Sequence, residues 1–123
     1  MKRVDLGKLE ISQLVEEFVA IAMAQDHANL GNEAARYNRL YDKMKEIEDE
    51  LKRRSGDQRR VLIALYDHNN PEVRLKAAKA TLAVAPLAAR KVLESLTENK
   101  LYSQAGAAGM CLWALDEGIF KPT

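Results

Sequence analysis

Cysteine occurs once in the 123 residues, at Cys111. No internal disulfide can form, so packing alone must hold the fold, and the usage fits a reducing compartment. Aromatic residues are few, at 6%, which leaves no interleaved platform for stacking bases. Neither sign of charge prevails. The formal net charge is +1, so no global field draws the chain to nucleic acid or an anionic membrane. Long apolar runs are missing too. The richest, Leu14–Ala24, carries Glu16 and Glu17 and is too short to span a bilayer. The opening MKRVDLGKLE has no apolar centre of the kind a signal peptide needs. These absences predict a soluble, cytoplasmic protein with no membrane partner.

The usual chemical signatures are also absent. The two histidines, His27 and His68, are far apart and fall near predicted helix ends, and no H-x-x-x-H, C-x-x-C or E-x-x-H pairing exists. No metal or cofactor is expected. There is no G-x-S-x-G, and Cys111 lies mid-helix between Met110 and Leu112, where a cysteine serves as a small core residue. Gly106 and Gly109 form GAAG inside a helical pattern, which suits close helix packing better than a phosphate loop. Asp67, Asp116 and Glu117 are the acids that could converge, but a catalytic pair needs a pocket and a fixed separation. The reading is therefore no enzyme and no catalytic residue.

What is present is helical periodicity. The hydrophobic fraction of 47% supports a true core, and its alanines favour helix. Leu9, Leu14, Val15, Phe18, Val19, Ala22 and Met23 repeat at three-and-four spacing, which predicts a helix ending near residues 27–30 at Gly31 and Asn32. A second helix follows, with Ala34, Tyr37, Leu40, Tyr41, Met44, Ile47 and Leu51 as its stripe and charge on its other faces. Ser55 and Gly56 break it, and Asp57 caps a third helix over residues 58–67 that buries Val61, Leu62, Leu65 and Tyr66. Asn70 and Pro71 open the fourth, with Glu72 where the helix dipole favours an anion. Val73, Ala77, Ala80, Thr81 and Val84 form one stripe on it and Leu75, Ala78, Leu82 and Ala85 another, leaving Arg74, Lys76 and Lys79 for solvent or a partner. A fifth helix after Pro86 turns Ala89, Val92, Leu93 and Leu96 inward. A sixth ends near Asp116–Gly118.

The stretch NNPEVRLKAAKATL at 69–82 is weakly echoed about thirty residues later by YSQAGAAGMCLWAL at 102–115. Such a period points to stacked helical hairpins. Asn70, Pro71, Val73, Arg74, Ala77, Ala78 and Leu82 resemble the second helix of HEAT repeats, with Asn70 at the usual aspartate position and Gln104 at the arginine position of the second copy. With NRLYDKM at 38–44 and WALDEGIF at 113–120, nearly the whole chain looks like a small bacterial family of uncharacterised HEAT-like proteins. The resemblance implies one all-α domain over 1–123. It would hold about six helices in three antiparallel hairpins, at 8–54, 57–85 and 86–118, stacked as a short right-handed, armadillo-type α-solenoid.

Such a stack has a concave face built by inner helices, a surface suited to binding proteins. The expected function is a non-enzymatic module for protein–protein interaction, in an immunity-protein-like version by analogy of fold. Arg74, Lys79 and Gln104 are its expected contacts. Trp113 is either a core aromatic or, if exposed, a hot spot. A homodimer is a second form of this reading. The alternative is nucleic-acid binding through Lys52, Arg53, Arg54, Arg59 and Arg60, with Arg36, Arg39 and Lys43 of the long helix. The structural reading of that cluster is a solvated turn at the negative end of the long helix. HEAT-like enzymes such as DNA glycosylases and bilin lyases are longer and need a deep pocket with organised acids.

Overall fold

A computed structural model describes residues 5–123. The described residues form five α-helices and two stretches of 3-10 helix, with no strand. They fall into two compact units, one ending at Val61 and the other starting at Leu62. The short lead expected over residues 1–7 lies partly outside the described residues. Its described end enters a 3-10 turn, Leu6–Lys8, capped where the Asp5 carboxylate accepts from the Gly7 N–H at 3.0 Å.

The first unit is a helical hairpin. Helix α1 spans Ile11–Leu30 and begins where the Gln13 side chain accepts from the Glu10 N–H at 2.8 Å. Gly31 closes it, but Asn32 is the residue that takes the left-handed conformation, with φ 56°. Asparagine tolerates that region better than most side chains. Helix α2 spans Ala34–Arg53 and packs along α1. Buried on these helices are Leu14, Phe18, Ile21, Gln25 and Ala28 of α1 and Met44, Ile47 and Leu51 of α2. Each Leu, Ile or Phe buried there contributes roughly 1.5–3 kcal/mol. The expected stripe on α1 is rotated by one position. Met23 and the α2 residue Tyr41 are exposed, while Ile21 and Gln25 lie inside.

The third expected helix, Gln58–Asp67, is present as 3-10 helix instead. At three residues per turn Arg59, Leu62 and Leu65 line up on one side. Arg59 and Leu62 are buried, and Leu65 is half-buried. Gly56 and Asp57 lead into the segment with φ 80° and 52°, and the Asp57 carboxylate accepts from the Arg59 N–H as the cap predicts.

The second unit is built on three helices, α3 (Pro71–Thr81), α4 (Pro86–Glu98) and α5 (Gln104–Asp116). Each packs on the other two. Asn70 caps α3 through an acceptor bond from the Glu72 N–H at 2.8 Å, and Pro71 and Pro86 stand at first-turn positions. Both predicted stripes are buried from Val73 to Leu82, but their last members, Val84 and Ala85, fall beyond the end of α3 and are only half-buried. The core places a fully buried alanine on every helix, Ala78, Ala89 and Ala108, among Leu75, Leu82, Leu93, Leu96 and Cys111. Small side chains at the crossings allow the helix axes to approach. Where α3 was expected to pair with the 58–67 helix, its extensive contacts are with α4 and α5.

Thr81, fully buried, donates its hydroxyl to the Ala77 carbonyl at 2.8 Å, so the Tyr66 hydroxyl donates to Thr81 in turn. Helix α5 ends in a Schellman arrangement. Gly118, at φ 71°, donates to the Leu115 carbonyl, and the Ile119 N–H donates to that of Ala114.

Candidate functional site

The basic cluster is pulled apart by local acids. Arg54 donates to the Glu50 carboxylate at 2.8 Å and to the backbone carbonyls of Leu6 and Leu9 at 3.0 and 2.7 Å. It thus ties the end of α2 to the turn that precedes α1. Arg53 reaches the other Glu50 oxygen at 3.0 Å. Asp49, one residue before Glu50, is 3.7 Å from Lys45. These two arginines hold the Glu50 carboxyl below its ordinary range, Arg54 first. Arg59 grips Asp57 through two bonds of 2.9 and 2.7 Å, which lowers the Asp57 carboxyl and raises the arginine. Of the five predicted basic residues, Lys52, Arg53 and Arg60 face solvent, whereas Arg59 is buried and Arg54 half-buried.

The inner-helix residues separate in the same way. Arg74 is half-buried. It donates to the His68 carbonyl at 2.7 Å and lies 5.8 Å from the centre of the Tyr102 ring, within cation–π range. Lys79 is half-buried and close enough to Cys111 to favour its thiolate slightly. Burial outweighs that effect and pushes the thiol up. A thiol so placed is a poor nucleophile.

Gln104, expected at the surface, is 3% exposed and donates to the Glu72 carboxylate at 2.9 Å. Lys76, expected in solvent, is buried with its ammonium 3.5 Å from the other Glu72 oxygen. A charged pair and an amide thus share the interior of the second unit. Register carried the signal for both: Gln104 continues the line of Ala108 and Cys111, and Glu72 and Lys76 that of Ala80, at helical spacing.

Trp113 is 54% exposed. Gly106, Ala107 and Met110 are exposed on the same helix. From Gln104 to Leu115 α5 carries no charged residue, unlike α2, whose outer faces are charged throughout. Asp116, just beyond, is held by Arg90 at 2.9 Å, which lowers its carboxyl.

Shallow depressions open on the first unit among the described residues. One of about 180 Å³ lies at the α1–α2 turn around Asn32, Glu33 and Tyr37. Its carboxylate, on Glu33, faces Arg36 at 3.7 Å. Another, of about 230 Å³, is bordered by Leu6, Gln13, Glu16 and Glu17. Its two acids are sequence neighbours on a helix and do not face each other. Among the described residues no three His, Cys, Asp or Glu side chains are grouped to hold a metal, and no helix is long and apolar enough to cross a membrane.

These features define an all-α protein of two compact helical units, with an uncharged surface on its last helix. The model of a domain of unknown function, DUF2019, matches residues 12–116, and the chain belongs to that family. The crystal structure of the protein RPA1889 from Rhodopseudomonas palustris CGA009 is similar, at 50% sequence identity and a TM-score of 0.93, over 98% of this chain and 100% of that one. Among curated proteins nothing matches.

Proposed function

We propose that the protein is a non-enzymatic interaction module that binds a protein partner through the second unit. The observation that carries this reading is the exposed, uncharged face of α5 centred on Trp113, in a chain that is 30% charged. Exposed tryptophan beside other apolar side chains is the composition of a binding hot spot. Lys79, half-buried on α3, would supply a polar contact. Arg74 and Gln104 would act from behind that surface by fixing α3 and Tyr102. The Asn70–Pro71 cap and the doubly buried stripes of α3 also support a HEAT-like descent for this unit, and the buried lone thiol suits a cytoplasmic setting.

The competing reading, nucleic-acid binding, draws on the exposed Lys52, Arg53 and Arg60, with Arg39 and Lys43 exposed on α2 and Arg36 half-buried there. Affinity capture from a bacterial lysate at low and high salt, with nuclease-treated controls, tests the choice. A protein retained at high salt by the native chain and lost with Trp113→Ala supports the module. Nucleic acid that disappears with salt, and with Lys52, Arg53 and Arg60 changed to Ala, overturns it. Arg54 and Arg59 are left intact in that variant because both hold the fold together.

A further inference from the structure

The partner for the α5 face can be named from its own shape. Gly106, Met110 and Trp113 are exposed at i, i+4 and i+7, one stripe of the helix. Glycine is a poor helix residue, and Gly106 has no reason within the chain to be one. Its φ is not positive, and a Cβ built on it meets nothing within 4 Å. The empty place beside Gly106 is therefore available to something outside the chain. Seven residues along the same stripe stands the largest side chain of the protein, Trp113.

We propose that α5 pairs with α5 of a second copy of this chain, antiparallel about a two-fold axis near Met110. This inference rests on the interaction-module reading and supplies its partner. Antiparallel pairing sets Trp113 of each copy over Gly106 of the other and brings the two Met110 side chains together at the axis. Parallel pairing would set Trp113 against Trp113 and leave the glycines facing a gap. The same operation lays the Leu101 end of one helix beside the end of the other where Phe120 folds back. A two-fold interface must be self-complementary in this way.

Charge agrees with that occupant. No like charges meet across the axis, because the stripe has none, and Asp116 at its edge is already paired with Arg90. Nucleic acid would find no cation there. Area agrees as well. Leu101, Met110, Trp113 and Phe120 are 94%, 68%, 54% and 37% exposed. They offer on the order of 500 Å² per copy, toward the roughly 800 Å² per partner of a standard interface. Gly106, Ala107 and Ala114 and a polar rim would supply the remainder.

Sedimentation equilibrium of the full chain, from about 1 to about 100 μM, tests the proposal, with a dissociation constant on the order of 10 μM expected. Met110→Glu puts two carboxylates at the axis and should raise that constant at least roughly a hundredfold. Gly106→Leu fills the place meant for the second copy's Trp113. It should give a monomer whose circular dichroism and melting temperature match or exceed those of the native chain. Tyr41→Glu, on the exposed face of α2, should leave the dimer intact. A native chain that stays monomeric across the range overturns the proposal, as does a dimer that tolerates both α5 variants. If a monomer still captures a lysate protein through Trp113, self-pairing fails while the interaction reading stands.

Discussion

The two units are held together by opposite means. The first relies on large side chains, Phe18, Leu14, Met44, Ile47 and Leu51, meeting along two helices of twenty residues each. The second relies on small ones, with buried alanines on every helix letting three shorter helices close on four leucines and Cys111. Their surfaces differ as sharply. Charge covers α2, while α5 shows solvent Gly106, Ala107, Met110 and Trp113. A chain can thus spend its polar residues on one half and leave the other half an uncharged face. Packing by alanine permits that, because α5 turns Ala108, Cys111 and the partly buried Leu112 and Leu115 toward the core of the second unit.

The contrast predicts opposite sensitivities. Phe18→Ala should leave a cavity in the first unit and cost about 3–5 kcal/mol in urea unfolding followed by circular dichroism. A loss below about 1 kcal/mol would mean that the seam can collapse around the gap. In the second unit the damaging change is growth. Ala78→Leu should overpack the three-helix crossing and cost about 1–3 kcal/mol. An Ala78→Leu protein as stable as the native one would show that this core has slack.

Arg54 should set the acid limit of the first unit. The folded Glu50 carboxyl lies below its ordinary value of about 4.5 because Arg54 and Arg53 bond to it. Its contribution is present above the unfolded value and is lost as pH falls through the folded one. Asp57 behaves likewise beside Arg59. Arg54→Met should cost roughly 1.5–3 kcal/mol at pH 7, through the lost charge-assisted bonds, and flatten the decline below about pH 4.5. An unchanged acid limb would place the acid sensitivity elsewhere. Smaller still, Asn70→Ala should cost about 1 kcal/mol by uncapping α3, visible as a lower urea midpoint without a change of slope.

Much of this was legible in the sequence where backbone chemistry is local. Asn70–Pro71 marked the start of α3, Ser55–Gly56 the end of α2, and Gly118 the close of α5, since each residue type answers a demand of its own turn. The 58–67 segment was not. Apolar residues at 61, 62, 65 and 66 satisfy three or 3.6 residues per turn about equally, and only tertiary packing decides between them. Gln25, Glu72, Lys76 and Gln104 were missed because polar types are read as surface, although their register pointed inward. For the candidate site, Trp113 was named among the contacts, but its exposure depends on which face of α5 its neighbours leave open. Gly106 was read as a packing residue, and only the built structure reveals the open space beside it.

The lone cysteine has a practical consequence. Cys111 sits in the closed core of the second unit with its thiol pushed up by burial, and the lone tryptophan stands two residues away on the same helix. The first unit has neither. Thiol labelling and indole emission will therefore time the opening of one half of the molecule only, and a chain whose first hairpin has melted would pass both assays as native.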